Sequence, residues 1–233
     1  MPPIVQSLCR FYHSSIGKKI LVALTGLGLM GFVLGHLLGN LQVFLGPDAI
    51  NTYAKKLHDL GILLWVARIG LLVMVAVHIV ATIQLTRENK AARKQKYAVD
   101  ATRQATKSSL TMIWSGSTIL VFIVYHLLHF TINKGHGYYD HDNARYWLPD
   151  GSHNVYNMMI DGFSVWYVSA FYILGMFLLC GHLSHGFASV FQTLGLATPR
   201  LRQPIRVAAL LFAWGIFAGN VSIPLAILSG IKS

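Results

Sequence analysis

The chain has 233 residues, 54% hydrophobic and only 12% charged, a balance that excludes an ordinary soluble domain. Its net charge of +11 would suit a nucleic-acid binder, but the basic residues lie in short loops beside apolar runs, where they set topology and meet anionic lipid. Cys9 is expected before the first apolar run and Cys180 within the fourth, which excludes a disulfide.

Taken in chain order, Arg10, Lys18 and Lys19 precede a first apolar run over about 20–45. It is long enough to cross ~30 Å of hydrocarbon as a helix. It exceeds a signal-peptide core and lacks a small-x-small cleavage site before Pro47, so it is expected to be retained. The second run, about 60–85, leads into Arg87, Lys90, Arg93, Lys94, Lys96, Arg103 and Lys107, and the third covers about 108–132. The connection 133–162 is too polar to span and rich in Tyr, Trp and Gly, so it is expected to lie at the headgroup layer and roof a site. A fourth run, about 163–192, is followed by Arg200, Arg202 and Arg206, and a fifth by Lys232 after about 205–228. Each run exceeds the roughly 20 residues needed, so tilt or protrusion is expected.

Thirteen basic residues then fall on one side, against Lys55, Lys56, Lys134, Arg145 and Lys232 on the other, interleaved with aspartates. The positive-inside rule places the N-terminus in the cytoplasm and the C-terminus outside. The predicted fold is an all-α membrane protein, one domain over 1–233, with five transmembrane helices of which the first four form an up-down bundle.

Four of those runs each carry a histidine at membrane depth: His36, His78, His126 and His182, with no acidic residue near them. Ionisable groups there are costly and mark functional sites. Helix rise converts sequence distance into depth. His36 lies ~25 Å and His126 ~28 Å from the basic side, while His78 lies ~13 Å and His182 ~16 Å from it. Two levels follow, about 12 Å apart. Each offers two imidazoles from helices running the same way, which suits axial ligation of two haems as an electron wire. The absence of Cys-x-x-Cys-His excludes covalent haem attachment. Taken singly, any of these histidines is equally compatible with an interhelical hydrogen bond.

His129 and His185 each follow a ligand candidate by three residues, as in the histidine boxes of membrane di-iron enzymes, but the depth count puts them on opposite sides. They are read as propionate or quinone contacts, or as interfacial polarity. Arg68, the one basic residue inside a run, either neutralises haem propionates or snorkels to the outer headgroups. Gly31, Gly35 and Gly39, with Gly175, Gly181 and Gly186, either permit close helix packing or leave room for a porphyrin. A quinone site is expected near His36, Arg68, His129 and the aromatic loop, with His58 and Asp59 as proton sources.

The stretches LTGLGLMGFVLGHLLGNLQVF, VAVHIVATIQLTRENKAARKQKY, VFIVYHLLHF and HLSHGFASVFQTLG carry a family likeness over nearly the whole chain. The chain resembles the single-subunit, five-helix, dihaem cytochrome b of succinate:quinone oxidoreductase (complex II), a type shared with quinol:fumarate reductases. In that pattern the fourth-span ligand precedes Gly and a bulky apolar residue by four and five positions, with a further Gly near the helix end. Here these are His182, Gly186, Phe187 and Gly195. The resemblance implies two haems b, the inner held by His78 and His182 and the outer by His36 and His126. It also implies flavoprotein and iron–sulfur partners on the cytoplasmic face, menaquinone as acceptor, a bacterial cytoplasmic membrane, and no succinate chemistry in this chain. A higher oligomer of the complex is compatible with it. One departure is Cys180, where fumarate reductases of this type carry a glutamate for transmembrane proton movement, and it favours succinate oxidation. The rival readings are a hydrogenase or formate dehydrogenase cytochrome b, disfavoured by one histidine per helix, and a haem-free proton or ion carrier.

Overall fold

The computed structural model describes residues 2–92, 111–133 and 135–230. Those residues form eight α-helices and no strand. They are α1 (Pro3–His13), α2 (Ser15–Asn40), α3 (Pro47–Asp59), α4 (Ile62–Ala92), α5 (Met112–His126), α6 (Val155–Ser164), α7 (Trp166–Thr193) and α8 (Arg202–Leu228). With the short turns that prolong two of them, α2, α4, α5, α7 and α8 are long and apolar enough to cross a membrane. Much of the basic connection after the second run, from Arg93 to Lys107, lies outside the described residues, as do Lys134 and Lys232.

Local chemistry sets the breaks. Ser14 ends α1 and caps α2 by accepting from the Gly17 N–H at 2.9 Å. A Cβ on Gly17 would sit 1.9 Å from the Phe11 carbonyl oxygen, so the tight joint between α1 and α2 requires glycine there. At the far end of α7, Gly195 takes φ +75°, and the Leu196 and Gly195 N–H groups return to the Phe191 and Gln192 carbonyls at 2.9 and 3.2 Å. That pattern closes the helix with its last carbonyls satisfied. The third span continues past α5 in one wide turn over Leu127–Thr131, closed by Ile132 N–H to Leu127 C=O at 2.7 Å.

Helix α2 packs against α4 and α7, α5 packs against α7, and α8 buttresses α7, while α4 and α5 share no extended packing. One core lies between α7, α8, α6 and the end of α2, with Val43, Ile50, Phe122, Tyr156, Met159, Phe163, Tyr172 and Ile223. A second joins Ala23, Met30, Leu37, Cys180, Leu183 and Ala213 further along the spans. Helix α4 buries only Ala81 and exposes Leu63, Val66, Ile69, Leu72, Val73, Val80 and Ile83, an arrangement suited to a lipid surround. At 31 residues it reaches about 46 Å, longer than the hydrocarbon it would cross.

The end of α4 is tied to the start of α2 by the Lys18–Glu88 ion pair and to α1 by Tyr12 O–H to Gln84 at 2.8 Å. At the opposite end, Lys55 of α3 pairs with Asp150 at 2.6 Å, and Asn51 bonds Asn154 at 3.1 Å. The connection 133–162 is not all loop. Its last third is α6, whose Tyr156, Met158, Met159, Ile160 and Phe163 are buried, with Asn154 capping it through Asn157 N–H at 3.1 Å.

Candidate functional site

The four span histidines lie at two levels. His36 from α2 and His126 from the end of α5 have ring centres 5.7 Å apart and planes at 85°. Phe32 stacks on His36 and Phe122 on His126, at 5.4 and 6.0 Å. The Asn40 amide, one turn on, donates to His36 Nε2 at 3.1 Å. His78 from α4 and His182 from α7 lie at the other level, each held by a hydroxyl of a neighbouring helix. His78 Nδ1 lies 3.0 Å from Thr25 Oγ1 of α2, and His182 Nδ1 lies 3.2 Å from Ser115 Oγ of α5.

These contacts correct the spacing of the levels. Thr25 marks the His78 level on α2, and His36 lies 11 residues beyond it. Ser115 marks the His182 level on α5, and His126 again lies 11 beyond. The separation is therefore about 16 Å rather than 12 Å. Charged residues that overrun the bilayer by unequal lengths are a poor zero of depth.

The residues fit a porphyrin-borne metal. A metal lies about 2 Å from an imidazole nitrogen, which places ring centres on opposite sides of one ion about 6 Å apart. The outer couple is within a few tenths of that spacing. His36 is exposed and stands at the mouth of a cavity lined by Gly39, Asn40 and Tyr53. A Cβ on Gly31, Gly35, Gly181 or Gly186 would meet nothing within 4 Å, so these four border open space. Gly39 and Gly175 are packing residues, since a Cβ there would come within 2.6 Å of Tyr53 and 2.5 Å of Phe122. The open side between α4 and α5 adds room. Asn40 must release His36 Nε2 for that atom to coordinate. Among the described residues no three His, Cys, Asp or Glu side chains gather to hold an ion. A porphyrin, which brings four nitrogens of its own, asks the chain for only two.

The other candidates separate. His129 is 1% exposed, between Tyr172 Oη at 3.0 Å and Tyr138 Oη at 3.3 Å. Tyr172 also reaches His126 Nδ1 at 3.4 Å, so His129 touches the outer couple through one phenol. His185 is half-buried beside His182. Arg68 is exposed, with its guanidinium 5.2 Å above the Trp65 ring and Tyr139 of the roof nearby. A cavity of about 150 Å³ opens beside His36, lined by Gly39, Asn40, Ile50, Tyr53, Ala54, Leu57 and Val155. Neither Arg68 nor His129 lines it.

The roof is tied down by polar chemistry. Arg145 grips Asp161 through two bonds of 2.5 and 2.6 Å, Tyr146 adds a third at 2.9 Å, and the guanidinium holds the Asp161 carboxyl below the usual range. Burial, then Tyr146 and Asp161, push the Tyr138 phenol up to about 12. Burial lowers His153, whose Nε2–H donates to the Tyr138 carbonyl at 2.8 Å.

Thr25, Ser115, Tyr172 and Asn40 were not singled out by sequence reasoning. One signal was present: Thr25-Gly26 and Ser115-Gly116 stand at identical spacings before His36 and His126, a repeat of [ST]-G-x9-H. No family model matches the chain, and no curated protein or solved structure matches it either.

Proposed function

We propose that the chain is the dihaem cytochrome b subunit that anchors a succinate:quinone oxidoreductase in a bacterial cytoplasmic membrane. Electrons from a flavoprotein and iron–sulfur subunit docked on the cytoplasmic face would pass inward-to-outward and on to quinone, menaquinone in the low-potential form. The observation that carries this reading is the meeting of His36 with His126, from two separate spans, with His78 and His182 hydrogen-bonded at a second level on two more. The contacts Thr25–His78, Ser115–His182 and Tyr172–His126 fit α2 and α5 running from the inner level to the outer and α7 running back, and the Lys18–Glu88 pair fits α4 running back as well. An up-down haem-binding bundle requires that arrangement.

Haem iron, when bound, supplies one-electron carriage at each level. The chain's own residues do the rest. His78 and His182 would hold the inner group and His36 and His126 the outer, while the apolar spans exclude water and so bias each potential. The cavity beside His36 is mostly apolar with Asn40 and Tyr53 as its polar contacts, the make-up of a site for a flat quinone head. His58 and Asp59, exposed just past Leu57, stand where outer protons can enter. The basic cytoplasmic ends, with Arg87, Lys90, Arg200, Arg202 and Arg206, offer a docking face for acidic partners.

Cys180, packed against Ala23 and Leu183, stands where a proton-carrying glutamate would support fumarate reduction, so succinate oxidation is the favoured direction. A second reading, a haem-free proton carrier, draws on the hydrogen-bonded row His126, Tyr172, His129 and Tyr138. Pyridine haemochrome analysis of the purified chain tests both. Two haems b per polypeptide, reduced by succinate when the partner subunits are present and reoxidised by menaquinone, are expected. A colourless preparation refutes the cytochrome reading.

A further inference from the structure

We propose that Thr25 and Ser115 are a matched pair of positioning residues, each using its hydroxyl to set the tautomer and rotation of the inner histidine on a neighbouring helix. His78 and His182 are thereby left with bare Nε2 atoms for one metal centre between them. The inference rests on reading these histidines as axial ligands, and it deepens that reading.

A hydroxyl has one hydrogen to give. Thr25 Oγ1 lies 2.6 Å from the Leu21 carbonyl oxygen and 3.2 Å from that of Val22, and Ser115 Oγ lies 3.1 Å from that of Met112. Carbonyl oxygens only accept, so each hydroxyl spends its hydrogen on its own helix, as Ser and Thr commonly do in spans. The same oxygens are then placed to accept from the imidazoles, whose Nδ1 atoms lie 3.0 and 3.2 Å away, and this arrangement puts the proton of both histidines on Nδ1. In a neutral imidazole Nε2 is then the lone-pair nitrogen, the atom a metal takes.

Glycines complete the device. A Cβ on Gly26 would lie 3.3 Å from His78 Cε1, and one on Gly116 would lie 3.5 Å from His182 Cε1. Each ring thus rests edge-on against a helix with no side chain in the way. Thr25-Gly26 stand 11 and 10 residues before His36, and Ser115-Gly116 stand 11 and 10 before His126. The α2–α4 and α5–α7 halves are built alike, each giving a hydroxyl, a glycine and an outer histidine on its first helix and an inner histidine on its second. The outer couple has no such hydroxyl from its own helix turn: the Asn40 amide donates to His36, and the Tyr172 phenol lies a long 3.4 Å from His126 Nδ1. Removing the hydroxyls should therefore act on the inner level alone.

A hydrogen bond from the outer nitrogen of a ligating imidazole orients the ring and raises its basicity. A more basic ligand favours the oxidised iron, so losing the bond favours reduction. The experiment uses the purified holoprotein carrying Ser115→Ala, Thr25→Val or both, with haem content measured first and the reduction equilibrium of each haem followed optically. With two haems retained, the double variant is expected to shift the inner equilibrium about tenfold towards the reduced form, about 59 mV for a one-electron couple, with the outer haem unmoved. Thr25→Val and Ser115→Ala alone should each give part of that shift. Thr25→Ser and Ser115→Thr keep the hydroxyl and should restore the wild-type value. Selective loss of the inner haem, rescued by those hydroxyl-keeping exchanges, also supports the proposal. Equal shifts at both haems, a shift below about twofold with both haems present, or a defect that the exchanges fail to rescue overturns it. A wild-type chain that holds no haem defeats the ligand reading itself, a separate outcome.

Discussion

Replacing Tyr172 by phenylalanine removes one oxygen and breaks the row that joins His126 to His129. The bond to His129 is 3.0 Å and well formed, whereas the 3.4 Å contact to His126 is long enough to count for little. His129 is 1% exposed, so no bulk water replaces the lost partner at Nδ1. A typical hydrogen bond contributes about 1 kcal/mol net, and a buried polar atom left unpaired costs about 1–3 kcal/mol. A destabilisation of about 2 kcal/mol follows for Tyr172→Phe. Equilibrium unfolding in mixed micelles by rising SDS, read by tryptophan fluorescence, measures it. Tyr167→Phe, at an exposed position on the same helix, serves as control. His129→Phe and the double variant complete a cycle in which the coupling should be about 1 kcal/mol or more. A Tyr172→Phe cost below about 0.5 kcal/mol, or costs that simply add, would refute a buried His129 held by that phenol.

Gly175→Val should destabilise by about 1–3 kcal/mol in the same assay, because its Cβ would sit 2.5 Å from Phe122, while Gly215→Ala on α8, with open space beside it, should be close to silent. Glu88→Gln strips the partner from Lys18, whose side chain is 4% exposed; because Glu88 is 45% exposed and its charge is screened, a loss of about 1–2 kcal/mol is expected. The roof should loosen on mild acidification. His153 favours its neutral form in the fold, so its contribution is whole above pH 6.5 and is lost as pH falls through 6.5 towards its lowered folded value. Asp161, depressed by Arg145, keeps its contribution above about pH 3.8 and loses it only as pH falls further. Proteolytic nicking within 135–164 should rise between about pH 7 and 5 in the wild type and not in His153→Phe; identical profiles would contradict that assignment.

Apolar run length and distance from charge are one-dimensional quantities, which is why five helices long and apolar enough to cross a membrane, and the approach of His36 to His126, could be read from sequence. The short helices could not. α3 and α6 have 13 and 10 residues, mixed with Asn, Asp and Lys, and no run that short rises above its polar neighbours. Their start signals, Pro47-Asp48 and Asn154, were nevertheless there. Composition could not say whether a glycine packs or leaves room, because the answer belongs to the facing helix: Phe122 opposite Gly175, and nothing opposite Gly181. Thr25 and Ser115 were hidden for another reason. Hydroxyls are ordinary in spans, and only the equal spacing to His36 and His126 marks these two as a pair.

The most direct measurement is the optical difference spectrum of four purified single variants, His36→Ala, His78→Ala, His126→Ala and His182→Ala, each with its haem count. His36→Ala and His126→Ala should lose the same haem and leave identical residual spectra, and His78→Ala and His182→Ala should lose the other. Any other grouping, or variants that all keep two haems, would contradict the claim that these imidazoles act in couples at two depths.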